Sequence, residues 1–142
     1  MGAASDILVA DDSEEKRVLL RCHRDIFIEK ILSLRWMMKV NGPLGQDRHH
    51  GNVNIRFIGF SAHDILSNLQ PRIAASTGAA CSSGLPEPSH VLKAIGLSST
   101  EAEASIRFSI GFGTSEDDID EAVDLIDVTL EKLAAAGLLQ SA

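Results

Sequence analysis

Two residues of this 142-residue sequence stand where a side chain could do chemistry, Cys81 and Arg107. Cys81 lies within Ser76-Thr77-Gly78-Ala79-Ala80-Cys81-Ser82-Ser83-Gly84, a run of small residues in a chain otherwise rich in Leu and Ile. No bulky neighbour in sequence would shield its thiol. A nucleophilic thiol must act as thiolate, and no basic residue lies within four positions of Cys81, so activation would come from a folded neighbour or from bound substrate. The alternative is a cysteine that packs as a small hydrophobe. Arg107 stands between Ser105 and Ser109 on the polar side of an alternating segment. Its planar fork of donors beside small side chains suits a bidentate carboxylate, and the alternative is a plain surface arginine. Arg56 admits the same two readings. The five histidines, His23, His49, His50, His63 and His90, show no metal-ligand spacing even with Cys81 added, so no metal site is expected. Gly42, Gly45, Gly51, Gly111 and Gly113 match neither a dinucleotide fingerprint nor a phosphate loop.

The elements that must position these residues follow from periodicity. Residues 1–11 carry no pattern long enough to assign. From Asp12, with Glu15 completing a capping-box pattern, Leu19, Leu20, Ile26, Phe27, Ile31 and Leu34 share one helical arc, which puts Cys22 at the edge of a buried stripe. Residues 36–40 suit a short strand before the turn Asn41-Gly42-Pro43. Asn52 to Phe57 alternates strictly, with Val53, Ile55 and Phe57 on one face and Asn52, Asn54 and Arg56 on the other. Ser61 and Asp64 open a short helix that Pro71 ends, and a brief strand is expected at Arg72 to Ala75. Pro88 suits the first turn of a helix through Val91, Leu92 and Ile95, closed by Gly96. Ser105 to Ile110 is a second alternating strand, with Ile106, Phe108 and Ile110 inward. Ser115 and Asp118 cap a last helix with an apolar stripe from Ile119 to Leu133, and Gly137 ends it. Helices interleaved with a few short strands predict an α+β domain.

Composition narrows the partners. The chain is 44% hydrophobic and 23% charged, which predicts one compact unit with a core of its own. Its formal charge of -7 and the lack of a basic run argue against nucleic acid, and a 4% aromatic content offers no base-stacking platform. No apolar stretch approaches the roughly 20 residues needed to span a bilayer, and the start lacks a signal-peptide pattern, so a cytoplasmic protein is expected. Two cysteines make no disulfide framework.

Three blocks together carry a more specific reading: Ser76-Thr77-Gly78-Ala79-Ala80-Cys81-Ser82, Pro86-Glu87-Pro88-Ser89-His90-Val91-Leu92 and Ser105-Ile106-Arg107-Phe108-Ser109-Ile110-Gly111. In order and spacing, and with the strand Gly51-Asn52-Val53-Asn54-Ile55 ahead of them, they resemble the C-terminal part of the cysteine desulfurases, pyridoxal phosphate enzymes of the class V aminotransferase group. The resemblance runs from about Asp12 to about Leu133. It implies a small C-terminal domain over residues 12–142, a short and mostly antiparallel sheet packed with helices. It makes Cys81 the acceptor that becomes a persulfide when L-cysteine is converted to L-alanine, and Arg107 the group that holds the substrate carboxylate. The family also implies sulfur supply for iron–sulfur cluster assembly and a sulfur-acceptor protein as partner. Phe112 stands where such enzymes usually have an arginine. None of Lys16, Lys30, Lys39, Lys93 and Lys132 follows the Ser/Thr-x-His pattern of the cofactor-bearing lysine. The large cofactor domain is therefore expected to be absent, with no pyridoxal phosphate bound to this chain alone and no activity by itself. A selenocysteine lyase, whose loop carries a similar Gly-Ala-Ala-Cys, is one alternative. Another is a non-catalytic sulfur-relay or interaction module, pairing with itself or docking on a large domain through an unusually apolar face.

Overall fold

The computed structural model describes residues 13–77 and 89–139. The first helix, α1 (Ser13–Leu32), leads into β1 (Met38–Val40), a single 3-10 turn at Gly45–Asp47, and β2 (Asn52–Phe57). Then come α2 (Ala62–Leu69), β3 (Ser76–Thr77), α3 (His90–Ala94), α4 (Ser99–Glu103), β4 (Ser105–Ser109) and α5 (Glu116–Ala135). The four strands form one antiparallel sheet in the order β1-β2-β4-β3. The expected α+β class is what these residues build. Asp12, half of the first capping-box pattern, lies outside the described residues.

The strict alternation of β2 and β4 gives the sheet two unlike faces. Val53, Ile55 and Phe57 pair with Phe108, Ile106 and Met38 on one face, where α1, α2 and α5 cover them. Phe27 and Ile31 of α1, Ile65 and Leu69 of α2, and Ile126 and Leu130 of α5 complete this core. Phe108 packs its ring against Phe27 at 5.3 Å between centroids, a tilted contact of the kind aromatic pairs prefer. On the opposite face stand Asn52, Asn54, Arg56, Ser105 and Arg107; α4 is held there by the Arg56–Glu101 ion pair and the Ser105 hydroxyl bond to the Glu101 carbonyl, and α3 lines a cavity with Asn54 and Arg107.

Two expectations are corrected, and two features lay beyond the sequence reading. The buried stripe of α1 runs Leu20, His23, Arg24, Phe27, Ile31, so Leu19 is 51% exposed and Cys22 faces outward rather than packing. Counting only apolar residues turned the stripe the wrong way, because two of its members are His and Arg. No strand forms at Arg72 to Ala75: the Ile73 N–H bonds the Leu69 carbonyl, prolonging the turn after α2, and pairing begins at Ser76 against Arg107. The five-residue helix α4 had no assignment, although Ser98 and Glu101 form a full capping box at its start. Ser105, placed on the polar face as expected, is fully buried there beneath α4.

Candidate functional site

The polar face of the sheet floors a cavity of about 760 Å³. Asn52 and Asn54 of β2, Arg107 of β4 and Ser76 and Thr77 of β3 form its floor, α3 and its C-cap supply Val91, Leu92 and Ile95, and the β1–β2 loop closes the remaining side with Asp47 and Arg48. Register brings the floor together: Arg107 stands directly between Asn54 and Ser76 across the two ladders. Its guanidinium is exposed and has no hydrogen-bond or ion-pair partner among the described residues. A strand arginine flanked by an amide and a hydroxyl, with no carboxylate to neutralise it, is open to an anionic ligand.

Cys81 lies outside the described residues. The positions on either side of its segment are informative, since Thr77 before it and Ser89 and His90 after it all line this cavity. No lysine lines it among the described residues.

The loop wall is held by two buried arginines that sequence reasoning did not single out. Arg24 on α1 is fully buried and bonds Asp25 Oδ1 at 2.7 Å, while it donates to the carbonyls of Gly45 at 3.2 Å and Arg48 at 3.3 Å. Arg48 in turn donates to the carbonyls of Pro43 at 2.7 Å and Asn41. Burial, and then the neighbouring Arg24 guanidinium, push the pKa of Arg48 down from the ordinary arginine value. Placing two cations side by side out of water is unfavourable, and it is offset only because their N–H groups meet carbonyl oxygens. Neither arginine carried a sequence signal: Arg24 breaks an apolar stripe, and Arg48 sits in a stretch with no periodicity.

Asn41 continues the chain of contacts from the loop to the floor. Read from sequence only as the start of a turn, it is buried, and its Nδ2 donates to Asn54 Oδ1 at 2.6 Å and to Ser105 Oγ at 2.9 Å. The alternation of β2 did place Asn54 on the polar face; what sequence lacked was the register that sets it opposite Arg107.

Comparison with known proteins gives this cavity its context. Residues 16–122 match the family model of aminotransferase class-V. A cysteine desulfurase of Frankia sp. (strain EuIK1) is 38% identical over 128 residues, covering 88% of this chain and 30% of the relative. Cysteine desulfurase IscS of Vibrio vulnificus (strain CMCP6) is 45% identical over 94 residues, covering 66% of this chain and 23% of the relative. The chain thus spans about a third or less of the length of the curated relatives it matches. Among solved structures, a NifS-like protein from Rickettsia africae has a TM-score of 0.70 at 19% identity, over 85% of this chain and 31% of that one. A second NifS-like protein reaches 0.72 at 19% identity, over 87% and 30%. At that identity these two speak for the fold. With the family model covering most of its length, the chain belongs to the class V aminotransferases, and within them it is similar to a part of the cysteine desulfurases.

Proposed function

We propose that this chain supplies the substrate-carboxylate site and the sulfur-accepting thiol of a cysteine desulfurase, with residues 12–142 as the small domain of the complete enzyme. The observation that carries this reading is the unpartnered Arg107 in a cavity whose lining includes both flanks of the Cys81 segment. In net terms L-cysteine and the Cys81 thiol give L-alanine and a Cys81 persulfide. Sulfur moves from carbon to sulfur, the three-carbon fragment keeps the bonding electrons and gains a proton, and no outside oxidant is needed. Arg107 holds the amino acid by its carboxylate, and Cys81 takes the sulfur.

Pyridoxal phosphate supplies electron withdrawal in the complete family enzyme and is anchored through a lysine amine. The described lining does not fit that role: it has no lysine, and its fixed cations are the arginines Arg48 and Arg107. Cofactor anchoring therefore falls to residues other than the described lining, and L-cysteine, a sulfur-acceptor protein and a large domain or second copy are the partners this reading assigns.

The test reconstitutes the chain with the cofactor domain of a close relative and follows L-cysteine binding and L-alanine release. Cys81→Ser should abolish persulfide formation and leave substrate binding in place, because a neutral hydroxyl is a far weaker nucleophile toward sulfur than a thiolate. Arg107→Lys keeps the charge but loses the planar fork, and should weaken capture by roughly tenfold to over a hundredfold. Normal turnover by Cys81→Ser, or parental binding by Arg107→Lys, would refute the corresponding role. Faster turnover of selenocysteine than of cysteine would point to a selenocysteine lyase instead.

A further inference from the structure

We propose that Asn54 is a second donor to the carboxylate held at Arg107, its amide locked with the N–H groups toward the cavity; this rests on the carboxylate reading of Arg107 given above. Asn54 and Arg107 are direct partners in the β2–β4 ladder and both line the cavity. Directly opposed residues have Cβ atoms about 4.5–5.5 Å apart, so one small anion can reach both side chains.

The orientation of the Asn54 amide follows from proton accounting. The Ser105 hydroxyl donates to the Glu101 carbonyl at 2.6 Å, so its proton is used and only its lone pairs face Asn41. The side-chain group of Asn41 that meets them at 2.9 Å must therefore be the NH₂ group. That same nitrogen reaches Asn54 at 2.6 Å, so the atom it meets there must be an oxygen. Turning either amide around would set oxygen against oxygen or N–H against N–H. Asn41 itself cannot swing away, since it is buried, its backbone N–H donates to the Asn54 carbonyl at 2.9 Å and its carbonyl accepts from Arg48. The Nδ2 of Asn54 is left on the far side with two N–H groups, and no described residue accepts from it.

Two donor groups thus stand side by side with a single positive charge between them. That set matches a carboxylate, whose two oxygens offer about four acceptor sites, of which a guanidinium fork takes two and leaves room for an amide. Asn54 binds the oxygen edge that Arg107 leaves open and discriminates a carboxylate from a neutral amide at that position.

The experiment is a nuclear magnetic resonance titration of the 142-residue chain with L-alanine, which carries the carboxylate without a reactive thiol, and with L-alaninamide as control. With L-alanine, the Asn54 side-chain NH₂ signals and the Arg107 Nε–H signal should shift together along one binding curve, and L-alaninamide should move neither. Asn54→Ala should raise the dissociation constant about tenfold, the loss of one hydrogen bond to a charged group. Asn54→Asp is the sharper variant, because its carboxylate still accepts from Asn41 but repels the ligand; binding should fall well over tenfold with the fold intact. Parental affinity in Asn54→Asp, or an Arg107 shift unaccompanied by Asn54, would overturn the proposal and leave the Arg107 site standing. Absence of any L-alanine shift at Arg107 would overturn both. The parent titration needs no variant, so an unfolded mutant cannot shelter the idea.

Discussion

Arg24 anchors the cavity from outside it. Its guanidinium is fully buried, and the carbonyls of Gly45 and Arg48 that it serves have no other side-chain donor among the described residues, while Arg48 serves a different set, those of Pro43, Asn41 and Asn52. Arg24→Lys keeps the charge yet replaces a planar fork with one point donor that cannot reach Asp25, Gly45 and Arg48 together. A loss of about 2–3 kcal/mol in urea unfolding is expected, since buried carbonyls are left unpaired. The signals of residues 45–49 should broaden or move while those of α5 stay. A near-neutral Arg24→Lys would show that the loop holds its shape without this anchor. Cys22 belongs to the same scale: exposed on α1, it should alkylate in the folded protein without denaturant, so any comparison with Cys81 must be made against an accessible thiol.

Among the elements, α5 has the clearest start. Ser115 accepts from the Asp118 N–H at 3.1 Å, and the Asp118 carboxylate accepts the Ser115 N–H at 2.8 Å and its hydroxyl at 2.7 Å. These bonds, from the Ser115 backbone and then its side chain, hold the pKa of Asp118 below the ordinary value of 3.8. A depressed carboxylate stabilises the fold above its unfolded pKa and loses that contribution as pH falls through the lower folded value. The α5 first turn should therefore fray only below pH 3.8, read from amide exchange at residues 116–119. Ser115→Ala should cost about 1 kcal/mol at neutral pH in thermal unfolding. At the other end of the sheet, a Cβ on Gly51 would sit 2.3 Å from the Ile110 carbonyl oxygen and 3.2 Å from Leu20 Cδ2. The Ile110 N–H bonds the Gly51 carbonyl at 2.8 Å, so the two backbones cannot part without breaking the pair. Gly51→Ala should cost about 1–3 kcal/mol in denaturant unfolding, and a neutral result would mean that this end of β2 relaxes freely. Elements with a long period were legible from sequence: β2 and α5 appear at the expected positions because alternation or a helical stripe repeats several times in each. Two short ones were not, although β1 and α3, flanked by turn and cap residues, form where expected. α4 has one turn and no stripe, and β3 is fixed by its partner Arg107 rather than by its own two residues. The same holds for the cavity. Arg107 and Asn54 were visible as polar-face residues, whereas Asn41, Arg24 and Arg48 matter through tertiary contacts that leave no trace in local pattern.

For the whole molecule, the cavity predicts what the chain does without help. Pyridoxal phosphate added to the chain alone should give no absorbance band that a single lysine substitution removes, and no sulfide should be released from L-cysteine. A lysine-dependent band together with turnover would show that one of the five lysines serves as anchor after all. Val91 and Ile95, both about half exposed, form the apolar wall over the Arg107 floor. The wiring of the sheet has a kinetic consequence. Its central ladder joins Asn52 to Ser109, more than fifty residues apart in sequence, and among the described residues β3 is paired only through β4. Closing so long a loop is an entropic cost met before the ladder returns any energy, so the floor carrying Asn54 and Arg107 assembles late, after local helices have formed. Because that cost rises only logarithmically, doubling the intervening length would cost about 0.6 kcal/mol, and residues inserted between β3 and α3 should slow folding more than they weaken the folded state.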